Sequence, residues 1–367
     1  MPPTDACQSD PLPGRTEDVS GTERMGESSS AMQVAQATRP ALVTIGVVGT
    51  GSIGSRHIRV LQSLRGVQAI AVPRRAERVA QWHAQGYRAA ATLQEAIGQG
   101  ASGVVIATDT GRHRDDALAA LEAGLDVLVE KPLAVDAAQA REIARRAQAL
   151  GRRLAVGCVM RFAESLTTVR RLLPRIGPVH RVAIACQSYL PDWRPQRPYR
   201  EGYSARAEDG GVLRDLVHEI DYAGWLFGWP DAVQARLRNL GRLGIAAEEA
   251  ADLWWQTGEG AVVSITLDYL SRPPRRRLHA VGERGTLEWD GVGGVVILEP
   301  VDAAAEVLRS SQARDEAFAA QAAAFFLADD GWDPRLATGE EGVRALAVID
   351  AARRASVHGG TEPVARA

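Results

Sequence analysis

Lysine, cysteine and long apolar runs are all scarce in this chain of 367 residues. Of its 43 basic residues, every one is arginine except Lys131. The three cysteines, Cys7, Cys158 and Cys186, are an odd number with no Cys-x-x-Cys spacing. That excludes a disulfide framework and a zinc cluster, and it suits a reducing, cytoplasmic setting. No stretch approaches about 18 consecutive apolar residues, and the N-terminus lacks a basic-then-apolar signal, so neither export nor a membrane partner is expected. Acidic residues number 45, so the net charge is −2 and there is no basic field to gather the phosphates of a nucleic acid. No cluster of residues has metal-ligand spacing, and no metal is expected.

What the chain does contain is a core. Hydrophobic residues make up 46% and charged residues 24%, as in folded globular proteins, and the length predicts two domains with a surplus. Residues 1–40 are rich in Pro, Ser, Thr, Asp and Glu without apolar periodicity, and are expected to form a disordered tail. From residue 42, short β-branched runs alternate with amphipathic, alanine-rich stretches, which predicts a doubly wound α/β unit with a parallel sheet over 41–160. After that, strand-like runs joined by glycine turns predict an α+β unit over 161–357 with a large, mostly antiparallel open sheet, and a tail at 358–367.

Gly49-Thr50-Gly51-Ser52-Ile53-Gly54 follows the first strand and precedes a helix. A glycine at each of the three positions permits a tight turn, a close approach of backbone to a pyrophosphate, and packing of helix on strand. The helix N-terminus then offers N–H groups to the phosphates. Dinucleotide binding is the expectation, with Gly49, Gly51, Ser52, Ile53 and Gly54 as contacts. The second strand runs into Pro73-Arg74-Arg75, where an NAD site would place a carboxylate. Two guanidiniums suit the 2′-phosphate of NADP, so NADP is expected, with NAD as the alternative. A solvated helix start in an arginine-rich chain would give the same residues.

Lys131, in Val129-Glu130-Lys131-Pro132, stands just past the C-terminal end of a buried parallel strand, the edge where open α/β sheets bind ligands. A compact ammonium can donate to a single oxygen, as a guanidinium fork does not. The second constellation is Gly210-Gly211-Val212-Leu213-Arg214-Asp215-Leu216-Val217-His218-Glu219-Ile220-Asp221-Tyr222. As one helix over 211–227 it would set Asp215, His218 and Tyr222 on one face, with Asp215 or Asp221 flanking the imidazole and raising its basicity. Thr108 stands at the end of the third strand expected from the sequence and His113 opens the helix after it; His113 either lines the nicotinamide side of the cleft or caps that helix.

GTGSIGSRH at 49–57, EKPL at 130–133 and DGGVLRDLVHEIDYAGWLFG at 209–228 together resemble the Gfo/Idh/MocA family of glucose–fructose oxidoreductase, inositol dehydrogenase and rhizopine-catabolism proteins. The resemblance spans about 42–356. It implies an N-terminal Rossmann domain, a C-terminal open sheet that builds a homo-dimer or homo-tetramer, cofactor contacts at Glu130 and Lys131, and Lys131, Asp215 and His218 as catalytic residues. Many members space the aspartate and histidine by four, whereas here the spacing is three. The loop carrying Trp193, Tyr199 and Tyr203 resembles that of members acting on sugars, and with Arg161 it would line the substrate; its aromatic rings could equally anchor the loop.

The expected reaction is hydride transfer between a nicotinamide and a secondary alcohol of a sugar, cyclitol or sugar derivative. Two alternatives stand beside it: a glycosidase working by transient oxidation and elimination, and a non-catalytic, cofactor-sensing regulator.

Overall fold

The computed structural model describes residues 42–328 and 331–366, and the statements below concern those residues; the predicted tail at 1–40 lies outside them. Strands apolar at nearly every position form a parallel sheet covered on both faces. They are β1 (Val43–Val48), β2 (Val67–Val72), β3 (Arg88–Ala89), β4 (Gly103–Ile106), β5 (Asp126–Val129) and β6 (Leu154–Val156). Helices α1 (Ser52–Ser63), α2 (Arg78–Ala84), α3 (Leu93–Gly98), α4 (His113–Glu122) and α5 (Ala137–Ala149) connect them.

After α6 (Glu164–Leu172) comes the second sheet, with β7 (Val179–Gln187), β8 (Ala232–Arg238), β9 (Ala250–Gln256), β10 (Val262–Asp268), β11 (Arg275–Gly282), β12 (Gly285–Asp290), β13 (Val295–Pro300) and β14 (Glu306–Arg309). Helices α7 (Val212–Asp215) and α8 (Val217–Phe227) are inserted between β7 and β8. The chain closes with α9 (Arg314–Phe326), β15 (Ala337–Thr338), α10 (Gly339–His358) and β16 (Thr361–Pro363). The second sheet runs β14-β13-β12-β11-β7-β10-β9-β8-β16, antiparallel except for β7 beside β10. Along β9 and β10 buried and more exposed residues alternate, so one face packs on the core.

The first sheet runs β15-β6-β5-β4-β1-β2-β3, and two of its parts come from the far end of the chain. Strand β15 pairs antiparallel with β6, and α9 covers the α1 face of the sheet: Ala317, Ala322 and Phe325 share an apolar cluster with Ile45, Val47 and Ile58. A Cβ at Gly103 would lie 2.8 Å from the Phe326 ring, so β4 is shaped to receive this helix. Helix α9 and strand β15, expected within the second unit, therefore complete the first. Apolar periodicity reports that a helix has a buried face, and it is silent on which sheet buries it. The tail expected at 358–367 is also corrected, because Thr361–Pro363 adds an edge strand to β8.

Candidate active site

The three glycines of the turn meet different surroundings. Gly49 has φ +88°, and a Cβ there would lie 2.7 Å from the Ala107 carbonyl oxygen. A Cβ at Gly54 would run into the Gly49 carbonyl. Around the Cβ position of Gly51, by contrast, nothing lies within 4 Å. As the N-cap of α1, Gly51 offers no side chain to the first amides, so those of Ser52, Ile53 and Gly54 are left for an anion. The turn therefore fits a dinucleotide pyrophosphate. At the end of β2, Arg74 is exposed, 3.9 Å from Asp116. Arg75 lines a cleft of about 550 Å³ with Asp109, Trp193, Tyr199, Tyr203 and Arg206. Arg78, not singled out from the sequence, donates to the Thr50 carbonyl at 3.3 Å and so borders the same turn.

The edge of β5 is fixed from behind. His57 of α1 and Glu130 are both buried and share a 2.7 Å hydrogen bond, and Glu130 also accepts from the Lys131 amide. Burial would push the Glu130 carboxyl up, but His57 and Lys131 together outweigh it and hold the pKa below the ordinary value. His57 closes the GTGSIGSRH motif but is not among the expected site residues; its signal is a histidine on the buried stripe of α1, among Gly54, Ile58 and Leu61. His113 does not line the cleft. Its ring is buried, with Nδ1 against the Pro132 carbonyl at 2.8 Å and Nε2 against the Thr108 carbonyl at 3.0 Å. Burial lowers its pKa from the usual value, opposed by the two carbonyls, and the ring bridges the two turns that carry them. Thr108 spends its hydroxyl on Asp116 at 2.8 Å.

The predicted helix over 211–227 is broken at Leu216, where φ is −100° and ψ 32°. The break separates Asp215 from His218 and leaves the Asp215 carbonyl without its helical partner. Lys131 takes it: Nζ donates to that oxygen at 2.6 Å. The Asp215 carboxylate meets the buried Tyr269 hydroxyl at 2.6 Å, and its charge, ahead of burial, pushes the Tyr203 phenol up. Gly210 is needed because a Cβ there would strike the Tyr203 carbonyl.

His218 is 8% exposed, its Nδ1 is buried without a partner, and it makes no hydrogen bond among the described residues. The expected carboxylate beside it is absent. Burial first, then Lys131, Arg276 and Arg314, hold its pKa well below the ordinary value. Asp221 instead receives both prongs of Arg161, at 3.0 and 2.7 Å, while Glu341 takes the third bond at 2.8 Å. Arg161 is fully buried, so its expected place on the substrate is corrected: it ties three segments together. In the loop, the Tyr199 hydroxyl donates to the Leu243 carbonyl at 3.0 Å, and Trp193, 37% exposed, stands edge-on to Tyr269 at 5.4 Å.

A glycine-turn Rossmann sheet joined to an open, mostly antiparallel sheet, with Lys131 and His218 where the two meet, defines a dinucleotide-binding protein of oxidoreductase type. Two family models match the chain, one described as oxidoreductase family, NAD-binding Rossmann fold, over residues 43–158, the other as the GFO/IDH/MocA C-terminal domain, over 167–288. The chain belongs to the Gfo/Idh/MocA family. Inositol 2-dehydrogenase 1 of Saccharopolyspora erythraea is 31% identical over 264 residues, 67% of this chain and 73% of that relative. The 2,7-anhydro-N-acetylneuraminate hydratase of Mediterraneibacter gnavus is 27% identical, over 56% of this chain and 55% of that protein. The chain spans about half the length of most of the curated relatives it matches. A levoglucosan dehydrogenase solved with NADH shares the fold, with TM-score 0.80 and 16% identity, covering 89% of this chain and 100% of the other.

Proposed function

We propose that the chain is an NAD(P)-dependent oxidoreductase of a sugar, cyclitol or sugar derivative. The observation that carries this reading is the Lys131 ammonium, held by the Asp215 carbonyl at 2.6 Å beside the unpartnered imidazole of His218. The cofactor, when bound, takes up or gives the hydride. The amides at 52–54 would hold its pyrophosphate, and Glu130 and Lys131 would lie at its nicotinamide end. Arg74 and Arg75 favour NADP over NAD, since the chain runs from β2 into Pro73-Arg74-Arg75 with no carboxylate in that stretch.

Lys131 donates to the reacting oxygen and stabilises the negative charge that grows there, in a site whose donor is already aimed. His218, kept neutral by burial and by its cationic neighbours, is free to accept the hydroxyl proton. Asp215 acts through its main chain on Lys131 and through its carboxylate on Tyr269 and Tyr203. Trp193 and Tyr203 offer ring faces and edges at the cleft, on which a pyranose could rest. The same reading expects a cytoplasmic enzyme and a homo-dimer or homo-tetramer through the second sheet, where Trp254, Val262 and Val307 are exposed.

The test is spectrophotometric. Reduced-cofactor absorbance is followed with a panel of sugars and cyclitols, for the wild type and for Lys131→Met and His218→Ala. Each variant is expected to lose on the order of 10²–10⁴-fold in kcat/KM; wild-type rates in either would overturn the assignment. A second reading, transient oxidation at one carbon followed by elimination of a glycosidic bond elsewhere in the sugar and addition of water, is favoured by the match to an anhydro-sugar hydratase. It predicts protein that purifies with cofactor bound and turns over substrate without consuming more.

A further inference from the structure

The cleft of about 550 Å³ is walled by both units of the chain. From the first come Arg75, just past β2, and Asp109, just past β4. From the second comes the segment between β7 and α7, with single turns at Leu190–Trp193, Tyr199–Glu201 and Tyr203–Ala205. That segment is held at both ends. Trp193 donates to the Ser188 hydroxyl at 2.9 Å and stands edge-on to Tyr269. Arg206 grips Asp209 at 2.7 and 2.6 Å and lies 3.6 Å from Asp109, which ties the segment to the first unit. Between these anchors runs Arg194-Pro195-Gln196-Arg197-Pro198, where each arginine precedes a proline that restricts its backbone.

The charges in the cleft do not balance. Arg75, Arg194, Arg197 and Arg206 line it against two carboxylates, Asp109 and Glu201. Arg206 is taken by Asp209 and Asp109. Among the described residues no hydrogen bond or ion pair engages the guanidinium of Arg75, Arg194 or Arg197. Three cations therefore share one cleft with a single free carboxylate, Glu201, an excess of two. Exposed arginines elsewhere hold acidic partners: Arg175 has Glu306, Arg238 has Asp252 and Arg344 has Glu340. An arginine-rich composition by itself does not leave cations unpaired in this way.

Position says which anion is missing. In a Rossmann sheet the adenosine ribose lies at the end of the second strand, where Arg75 stands. A phosphate on that ribose carries a charge of about −1.5 to −2 at neutral pH, which the excess of two matches. Resting on the reading that the cofactor is NADP, we propose that the 2′-phosphate site is shared between the units: Arg194 and Arg197, from the loop of the second, complete it with Arg75 of the first. Guanidinium forks suit the several oxygens of a phosphate, and the anchored, proline-flanked segment lowers the entropy cost of ordering them. The second unit then discriminates between the two dinucleotides, because NAD leaves the three cations together with nothing to offset them.

Adenosine 2′,5′-bisphosphate and 5′-AMP carry the adenosine end of the cofactor with and without the 2′-phosphate, and their binding needs no turnover. Both are titrated calorimetrically into the whole protein. The wild type should bind the bisphosphate on the order of tenfold more tightly. Arg194→Gln with Arg197→Gln should remove about three- to tenfold of that advantage and leave the affinity for 5′-AMP as it was, and lysine at both positions should restore part of it. An advantage that survives whole in the glutamine variant would overturn the shared site and leave the NADP reading in place. Equal loss for both nucleotides would also overturn it, and so would a raised KM for substrate with nucleotide affinities untouched, which would give the two arginines to the substrate. A wild type that binds the two nucleotides alike would overturn the proposal and the preference for NADP together.

Discussion

The glycine turn at 49–54 and the glycine pair at 210–211 both let backbone approach backbone, but only the first leaves a space. Beyond Gly51 there is open room, whereas beyond Gly210 there is the Tyr203 carbonyl. The first region works with main-chain amides that lack partners and wait for a ligand. In the second, most side chains already hold one another: Asp215 with Tyr269, Asp221 with Arg161, Glu219 with Arg276. The difference teaches how to find function in the second region. The polar groups with partners build it, and a group left over, His218, is the one proposed to meet the substrate.

The largest expected effect breaks the scaffold of the second region. Arg161→Ala leaves Asp221 as a buried, unpaired carboxylate, which should cost about 3–5 kcal/mol of stability, read as a fall in the urea midpoint. A variant as stable as wild type would mean that the ion pair is not what holds these segments.

In the first region the opposite result is expected. Gly51→Val points its side chain into open space, so thermal stability should hold while the Kd for NADP rises about tenfold or more. Loss of fold would show that the space is not free.

Next is the pH response of His218. Its folded pKa lies below the ordinary 6.5, so as pH falls the unfolded chain takes the proton first. His218 therefore costs no stability above about 6.5, and stability is lost progressively below it. His218→Gln should flatten that part of the stability–pH curve, and in the wild type the acid limb of kcat/KM should lie below 6.5. An acid limb above 6.5 would mean that a carboxylate reaches the ring after all.

The smallest effect concerns the exposed arginines. Arg74→Gln with Arg75→Gln should lower the preference for NADP over NAD roughly two- to fivefold, the scale of surface ion pairs. An unchanged ratio would remove both from the 2′-phosphate.

Much of the first region was legible because it depends on local sequence: strand, three glycines and helix are contiguous, and their geometry follows from φ and from the missing Cβ atoms. The edge position of Lys131 was legible for the same reason. The short pieces β3 and α3 were not, having too few residues to show a period. In the second region periodicity placed Asp215 and His218 on one helical face, and the break at Leu216 undid that. Arg161, assigned to the substrate, proved to be buried because a carboxylate 60 residues further on was waiting for it.

By itself, the sequence determined the glycine turn, the strand edge that carries Lys131 and the two-sheet division, since each is written in neighbouring residues. Tertiary structure alone decided which charges meet. It sent α9 and β15 back to the first sheet. It also gave Asp221 to Arg161, leaving the imidazole among cations. The physical reason is that a charge is neutralised by whatever lies within a few ångströms of it, and such neighbours come from segments far apart in the chain.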